Sequence, residues 1–397
     1  MDEARAIAAE DGAEEGAGGA VRTGTRVLVV MPSWIGDAIM ATPTLRLIRR
    51  SMPDAHVGLL VRPGVDEVLR GLDTFDEMHV DRPSGMMGPK RVGQKLRGFR
   101  YDVALLLTNS FSTALTAMMA QIPRRVGYDR DARGLLLTRR VRAETRSHVP
   151  GVQGRWKPVP AAQYYWSLAR EMLVDEEIVS GLDVPEWMPA DAFLELRTTP
   201  EDERLADEML SSAGLTPRGA YALINPGGNN PAKRWPADRF AAIADHLATE
   251  HGLVALVNGS PGEADVVEEV VRLADVRTVA LHRLGGTLGS LKALVRRSRI
   301  MVTNDTGPRH MAAALGVPVV SLFGPTDHRW TTIPTRPGAG ERVLLADPGL
   351  PEEMVADDHP ERCRVDRIRL ADVAAACDEL LGTPGAVSEG RADRPER

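Results

Sequence analysis

Apolar residues in the first part of the chain follow two alternating patterns. Short continuous runs rich in valine and leucine are typical of buried strands, whereas apolar residues spaced three and four apart are typical of helices. These patterns predict strands at 26–31, 56–61, 77–81 and 102–107, and helices that include 39–50 and 90–98. Alternating strands and helices predict βαβ units, a mainly parallel sheet and a doubly wound, Rossmann-like α/β domain.

The same alternation begins again after Pro200 and predicts a second complete doubly wound α/β domain. Strands are predicted at 220–225, 253–258, 277–281, 300–303 and 317–323, and helices at 201–213, 240–250, 263–274, 288–298, 308–315 and 370–381. Ligands of such sheets lie beyond the carboxyl ends of the strands. Two such domains facing one another therefore form a cleft with a ligand face from each.

A proline-rich stretch with weak periodicity separates the two patterns and predicts a linker. Both ends of the chain are polar, and the first residues are rich in alanine, glycine and glutamate, so we expect disordered tails. The predicted division is a tail at 1–24, a first domain at 25–184, a linker at 185–200, a second domain at 201–368, a C-terminal helix at 369–381 and a tail at 382–397.

Composition narrows the classes of protein that fit this pattern. The 397 residues are 43% hydrophobic and 26% charged, which is globular, and the net charge of −6 argues against a nucleic-acid binder. The two cysteines form no CxxC motif, no stretch reaches the roughly 20 apolar residues of a membrane span, and the start lacks a secretory signal. We therefore expect a protein of the reducing cytoplasm.

The segment 303–310 carries the most chemistry in the second domain. It follows a predicted strand and opens a predicted helix, with Pro308 suited to the first helical position. Free amides at a helix start favour a phosphate, and Gly307 permits close backbone approach. Because Asp305 would repel a second anion, we expect it to bind hydroxyls, and phosphate with polyol indicates a nucleotide-sugar. A structural role for His310 is the alternative to one in this site.

The first predicted strand leads directly into Pro-Ser-Trp-Ile-Gly-Asp at 32–37. Acidic residues are common at helix starts, so Asp37 has a structural interpretation as a helix-start acid. The functional interpretation is a general base at the cleft, which takes a proton from an acceptor hydroxyl within hydrogen-bond reach. The spacing alone leaves both open.

Two further loops follow predicted strands of the second domain. The loop 225–236 is rich in glycine and asparagine, and its Lys233 and Arg234 are suited to a pyrophosphate, although a solvated loop is the alternative. In 258–263, Glu263 is suited to ribose hydroxyls or to capping a helix. Neither a GxGxxG motif after the first strand nor a Walker loop is present, which argues against a dinucleotide dehydrogenase.

The segment 124–146 has eight arginines against three acidic residues within an acidic protein. It is interpreted either as a solvated surface or as a site for an anionic acceptor or an anionic membrane face. The nine histidines show no metal-binding spacing, and the Asp-Arg-Asp at 129–131 is the one Asp-x-Asp motif that stands out, in a doubtful setting. We therefore predict no required metal.

Taken together and in this order, the motifs resemble the bacterial lipopolysaccharide heptosyltransferases of glycosyltransferase family nine, over roughly residues 25–380. The motifs that carry the resemblance lie at 26–37, 42–46, 101–102, 109–111, 122–128, 226–227, 232–236, 303–307 with His310, 312–318 and 322–326. Pro-Ser-Trp-x-Gly-Asp, Asn-Ser-Phe and Ala-Lys-Arg-Trp-Pro are most similar to the type II branch of that family.

The resemblance implies a GT-B fold, in which two Rossmann-like domains face a cleft and the C-terminal helix crosses back to the first domain. It implies inverting transfer from ADP-L-glycero-β-D-manno-heptose to the heptose of the lipid A–core oligosaccharide, without cofactor, metal or nucleic acid. The implied location is the cytoplasm, with peripheral contact to the inner face of the inner membrane as a further option. The alternatives are another nucleotide-sugar or acceptor, or a non-catalytic nucleotide-sugar binder.

The resemblance also assigns roles to individual residues, with Asp37 as the general base. The donor would be bound by Lys233, Asp305, Thr306, Gly307 and His310, with Glu263 and Thr287 on the nucleoside side. The acceptor would lie beside Ser33, Asn109, Arg124, Arg125 and Tyr128.

Overall fold

A computed structural model describes most of the chain, and two six-stranded sheets organise it. The described residues are 24–81, 85–145, 156–175, 182–216, 219–334 and 339–382. Both predicted tails, 1–23 and 383–397, lie outside these ranges, apart from Gly24 and Gly382.

The first sheet has the order β3-β2-β1-β4-β5-β6, and all its pairs are parallel. The elements of this half are β1 (Arg26–Val30), α1 (Ile35–Met40), α2 (Thr42–Ser51), β2 (His56–Val61), α3 (Val65–Leu69), β3 (Glu77–Val80), α4 (Gly88–Leu96), β4 (Val103–Leu106), α5 (Phe111–Met119), β5 (Arg124–Tyr128), β6 (Arg139–Val141) and α6 (Ala161–Leu173). The chain order reverses between β1 and β4, so the crevice where such sheets bind ligands opens beyond the end of β1.

The second sheet repeats this arrangement with the order β12-β11-β10-β7-β8-β9, again all parallel. Its elements are α7 (Pro200–Ser212), β7 (Tyr221–Asn225), α8 (Ala237–His251), β8 (Val254–Val257), α9 (Ala264–Leu273), β9 (Thr278–Ala280), α10 (Leu288–Arg297), β10 (Met301–Asn304), α11 (Gly307–Ala314), β11 (Val319–Phe323), β12 (Glu341–Leu345) and α12 (Leu370–Leu381). Here the reversal lies between β7 and β10, beyond which the loops at 225–236 and 304–307 begin. The prediction of two doubly wound domains is confirmed.

The single helix predicted at 39–50 is two helices that meet at Ala41. Pro43 has no N–H to continue the first helix, and it takes an early position in α2, where none is needed. The Thr42 hydroxyl donates to the carbonyl of Ile39 at 2.7 Å, which stabilises the junction. Because α1 begins at Ile35, Asp37 lies in its first turn.

The last helix packs on the second domain, so its predicted crossing back to the first domain is wrong. Helix α12 lies against α8, β11 and β12. Its buried residues Val373, Ala376 and Cys377 belong to the hydrophobic core of the second domain. Burial of this apolar stripe against its own domain explains the placement.

The two domains contact each other through α1 and α11 and through a buried lysine. Lys292 in α10 is fully buried, and its Nζ donates to the carbonyls of Arg70 at 2.8 Å and Arg197 at 2.9 Å. It also lies 3.3 Å from the Asp202 carboxylate. A buried ammonium needs such partners, so Lys292 ties α10 to the end of α3 and to the segment before α7.

Candidate active site

Asp37 lies beyond the end of β1, at the reversal point of the first sheet. Burial raises its pKa to about 6, and the nearby Asp305 carboxylate acts in the same direction. Lys233 and a hydrogen bond from the Tyr165 hydroxyl oppose this rise. The structure therefore brings Asp37 of the first domain together with Asp305 and Lys233 of the second, which are more than 190 positions away in the chain.

Asp305 faces the cleft from the second domain, and its neighbours hold its carboxylate ionised. Its Oδ2 lies 3.3 Å from Lys233 Nζ, and its Oδ1 accepts a hydrogen bond from Thr331 Oγ1 at 3.2 Å. Burial disfavours the charge, but Arg309 and Lys233 outweigh burial and hold the pKa of Asp305 below its ordinary value. Two carboxylates with pKa values displaced in opposite directions are suited to different tasks: Asp37 to exchanging a proton, and Asp305 to a fixed negative charge.

The loop that carries Lys233 is held by Asn304, a fully buried residue at the end of β10. Its Nδ2 donates to the carbonyls of Pro226 at 2.9 Å and Gly227 at 3.0 Å, and its Oδ1 accepts from the backbone N–H of Trp235 at 3.2 Å. Sequence reasoning missed this role for Asn304. The available signal was a polar amide at the end of an apolar strand.

Thr306 and Glu263 border the same loop. The Thr306 hydroxyl accepts from Asn225 Nδ2 at 3.1 Å, and Asn225 Oδ1 accepts from Asn258 Nδ2 at 2.6 Å. The Glu263 carboxylate accepts from the backbone N–H of Ser260 at 2.8 Å, and a side chain at Gly227 would collide with it. Glu263 therefore caps the turn that begins at Ser260 and also packs against the loop at Gly227.

Thr287 and His310 have different surroundings from those that the resemblance implied. Thr287 is exposed, and its hydroxyl accepts from the Ser290 N–H at 3.1 Å, capping α10. His310 is buried, and its Nδ1 donates to the Thr306 carbonyl at 3.1 Å. Burial, and then Arg309, lower the pKa of His310 to about 3, so the ring is neutral.

His310 packs against the first domain at Gly36. A Cβ at Gly36 would lie 2.7 Å from His310 Nδ1, and one at Gly307 would lie 3.4 Å from Ile35 Cβ. The starts of α1 and α11 therefore touch, and Gly36 allows this approach. The structure gives His310 an inter-domain contact directly beside Asp37.

A cavity of about 240 Å³ opens beside Asp37 toward the first domain. The Arg130 guanidinium lies 4.0 Å from the centroid of the Trp156 ring, and Lys157 Nζ pairs with Glu144 at 2.8 Å. The walls include Asp37, Arg130, Trp156, Lys157, Tyr164 and Trp330. The lining also includes Glu144, so the cavity balances two basic side chains with two carboxylates, and its polar and aromatic walls are suited to a sugar.

Asn109 and Tyr128 of the predicted acceptor set lie next to this cavity. Tyr164 donates its hydroxyl to Asn109 Oδ1 at 3.1 Å. Tyr128 stacks on Tyr164 with ring centroids 3.9 Å apart and donates to its carbonyl at 2.8 Å. Ser33 is partly buried in the loop between β1 and α1.

Arg124 and Arg125 are not brought together with Asp37. They begin β5, so about 13 Å of strand separates them from the cleft edge. Arg125 donates to the carbonyls of Ile122 at 2.5 Å and Leu136 at 2.7 Å. Its guanidinium therefore stabilises a turn, and Arg130, further along the basic segment, reaches the cavity instead.

Tyr165 and the residues around Trp156 are the main functional residues that sequence reasoning missed. Tyr165 lies in α6 and donates its hydroxyl to Asp37, although no motif in the sequence singles out this helix. Trp330 and Thr331 come from a short 3₁₀ turn, His328–Thr331, that closes the cavity from the second domain. Nothing local in the sequence indicates that these segments meet.

Two doubly wound domains that face one cleft, with Asp37 on one side and the Lys233–Asp305 pair on the other, have the arrangement of the GT-B glycosyltransferases. The model of glycosyltransferase family 9 (heptosyltransferase) matches residues 90–342, which is more than half of the chain. The chain therefore belongs to glycosyltransferase family 9.

Two curated relatives are similar to this chain over most of their own length. Lipooligosaccharide heptosyltransferase 2 of Haemophilus influenzae is 28% identical over 77% of this chain and 85% of that protein. Lipopolysaccharide heptosyltransferase 2 of Escherichia coli is 28% identical over 77% of this chain and 84% of its own length.

Solved structures bear out the fold. A family 9 glycosyltransferase from Veillonella parvula has a TM-score of 0.72 at 23% identity, covering 92% of this chain and 99% of its own. E. coli ADP-heptose heptosyltransferase II has a TM-score of 0.69 at 24% identity, covering 90% of this chain and 98% of its own.

None of the helices in the described ranges combines the length and apolar character that crossing a membrane requires.

Proposed function

We propose that this protein transfers a heptose from ADP-L-glycero-β-D-manno-heptose to the heptose of the lipopolysaccharide inner core, with inversion, as a type II heptosyltransferase. The observation that carries the proposal is the Asp37 carboxylate, with its pKa raised to about 6, opposite the Lys233–Asp305 pair. The relatives are named heptosyltransferases, which supports heptose as the transferred sugar.

Asp37 acts on the acceptor. Its carboxylate removes the proton of the acceptor hydroxyl as that oxygen forms a bond to the anomeric carbon of the donor. The ADP leaves from the opposite face of the sugar, which gives inversion. A carboxyl whose pKa lies near the working pH is ionised before the step and basic enough to take the proton.

The second domain stabilises the departing diphosphate. Lys233 supplies a positive charge, and the start of α11 at Gly307 supplies backbone amides and the positive end of the helix dipole. Asp305 is buried and ionised beside them, so it accepts hydrogen bonds from heptose hydroxyls. Glu263 is positioned along the same loop for the ribose. The proposed roles assign no step to a metal ion.

The decisive experiment supplies purified protein with ADP-heptose and a heptose-bearing core acceptor and detects the product by mass. We expect Asp37→Asn to lower kcat by about 10²–10⁴-fold, the usual contribution of a general base. Binding of ADP, measured by calorimetry, should stay unchanged in this variant.

Each outcome of that experiment separates the proposal from its alternatives. ADP binding without turnover for any acceptor would indicate a non-catalytic binder. Turnover of a different nucleotide-sugar in a donor screen would keep the enzyme class and reject the heptose donor. Full activity in Asp37→Asn would reject the assignment of the base.

The first domain also has a surface suited to a lipid-linked acceptor. Exposed apolar residues follow the carboxyl ends of four strands: Trp34 after β1, Met86 and Met87 after β3, Phe111 after β4 and Leu135 after β5. Arg140 and Arg142 are exposed at the outer strand of the same sheet. We propose that this edge makes peripheral contact with an anionic membrane that holds the acceptor.

Sedimentation with anionic phospholipid vesicles tests this contact. Leu135 and Met86 are 87% and 95% exposed, and we expect Leu135→Ser with Met86→Ser to weaken vesicle binding about tenfold or more. Leu370→Ser is the control, because Leu370 is 37% exposed but lies at the start of α12 in the second domain. Equal losses in both proteins would contradict the proposed surface.

A further inference from the structure

Two histidines and an aspartate converge on the side of the second domain, at the end of α8. His246 and His251 belong to α8, and Asp378 belongs to α12. The two Nε2 atoms lie 2.8 and 2.7 Å from the same atom, Asp378 Oδ1. One ligand atom from each residue lies within 4.8 Å of the other two. The two imidazoles are thus aimed at one point that a carboxylate already occupies.

We propose that His246, His251 and Asp378 form a binding site for a zinc ion. Neutral imidazole nitrogen and carboxylate oxygen are ligands that Zn²⁺ prefers, at about 2.0–2.2 Å. Tetrahedral coordination at that length separates ligand atoms by about 3.3 Å. The nitrogen–oxygen distances are about half an ångström shorter than this, and all three ligand atoms lie within 4.8 Å of one another, so they are already close to the spacing that zinc requires.

The exposure and the charge of these three side chains are suited to a bound zinc ion. The His251 side chain is 8% exposed and anchors the site, whereas Asp378 is 38% exposed and leaves it open to solvent. An ion can therefore enter, and water can complete the fourth position. Two neutral imidazoles and one carboxylate carry a charge of −1, which a divalent cation more than balances.

The site would fasten α12 to the helix that supports the donor loop. The start of α8 is already bound to the chain before α12: the Trp235 indole N–H donates to the Ile368 carbonyl at 3.1 Å, and Arg239 donates to the carbonyl of Asp366 at 2.6 Å. Zinc at the other end of α8 would bridge residues 127 and 132 positions apart. Closing so long a loop stabilises the folded state, so we infer a structural ion outside the catalytic step.

The test uses the full chain, freed of any histidine affinity tag and of metal, and titrates it with Zn²⁺ in a calorimeter. We expect one Zn²⁺ per chain, with affinity at least about tenfold weaker in His246→Gln and in Asp378→Asn. Zinc should raise the melting temperature of the wild-type protein and leave that of both variants unchanged. Transferase activity at 25 °C should be the same in His246→Gln as in the wild type.

His282→Gln is the matched control, because His282 also pairs with a carboxylate, that of Glu268 at 3.0 Å, but belongs to no three-residue group among the described residues. It should bind Zn²⁺ as the wild type does. Asp378→Asn keeps an acceptor for both imidazoles, so it preserves the fold if the cluster is only hydrogen-bonded. The proposal is overturned if the wild type binds no Zn²⁺, or if the two site variants bind it as tightly as the wild type.

Discussion

Two carboxylates that face one cleft have opposite pKa displacements because their neighbours differ. Asp305 lies beside Arg309 and Lys233, which hold it ionised. Partial burial of Asp37 raises its pKa to about 6, and the nearby Asp305 carboxylate adds to this rise. The sequence placed both residues after strands and left Asp37 open to a second interpretation as a helix-start acid. The environments of the two carboxylates favour a base at Asp37 and a binding residue at Asp305.

The pH dependence of kcat/KM should report this environment. Asp37 must be ionised to act, so activity should fall about tenfold per pH unit below a pKa of about 6. The Tyr165 hydroxyl stabilises the ionised carboxylate, so Tyr165→Phe should raise the pKa of Asp37 and move the acidic limb to higher pH. Tyr128→Phe is the control, because the Tyr128 hydroxyl donates to the carbonyl of Tyr164. Identical acidic limbs in wild type and Tyr165→Phe would contradict this role.

At the scale of elements, the starts of α1 and α11 form the closest contact between the domains. Both helices begin just beyond a strand at the reversal point of their sheet, so the catalytic base and the donor loop share one junction. Glycines at that junction permit the approach. The strands and helices with uniform apolar periods were predicted from sequence, and β2 and α12 were predicted to the residue.

Other elements were missed because their patterns are mixed. Strand β5 begins with Arg124 and Arg125, and β6 is Arg-Arg-Val, so neither has the apolar run that indicates a strand. Parallel pairing of β5 with β4, and of β6 with β5, supplies the stability that their own sequences lack. Helix α6 was also not predicted.

Gly36→Ala should disturb the junction between α1 and α11. The added Cβ would lie 2.7 Å from Nδ1 of the buried His310, which hydrogen bonds hold in place. We expect the free energy of unfolding to fall by about 1–3 kcal/mol, the usual cost of overpacking, and kcat to fall with it. Denaturant unfolding and the transferase assay measure the two effects.

Gly98→Ala serves as the control for that substitution, because a Cβ at Gly98 has nothing within 4 Å. It should change neither stability nor kcat appreciably. If Gly36→Ala behaves like Gly98→Ala, the two helices are not in tight contact in solution.

At the scale of the whole molecule, the two domains divide the substrates. The second domain contributes Lys233 and Asp305, whereas the first contributes Asp37 and most of the cavity with Lys157. The 3₁₀ turn with Trp330 and Thr331 is the part of the second domain that reaches the acceptor side. Under the proposed function, each substrate meets a different domain, and the transfer takes place where the domains meet.

Matched lysine variants should distinguish the donor side of the cleft from the acceptor side by which KM changes. Lys233→Met should raise the KM for the donor, lower kcat, or both, by about 10- to 100-fold, as expected for a lost charge-assisted hydrogen bond. Lys157→Met should raise the KM for the acceptor a few-fold, because Lys157 is more exposed. Initial rates with each substrate varied in turn measure both constants. A donor KM that rises in Lys157→Met but not in Lys233→Met would reverse the assignment of the domains.

Sequence alone was enough to predict the alternation of the apolar strands and helices, the two-domain α/β architecture and the segments after strands that carry Asp37, Lys233 and Asp305. These properties follow from local periodicity and loop composition, which act over a few residues. Only the tertiary structure decided which strand ends meet. It placed His310 against Gly36, separated Arg124 from the cleft and joined His251 to Asp378, since contacts between distant residues depend on how whole elements pack.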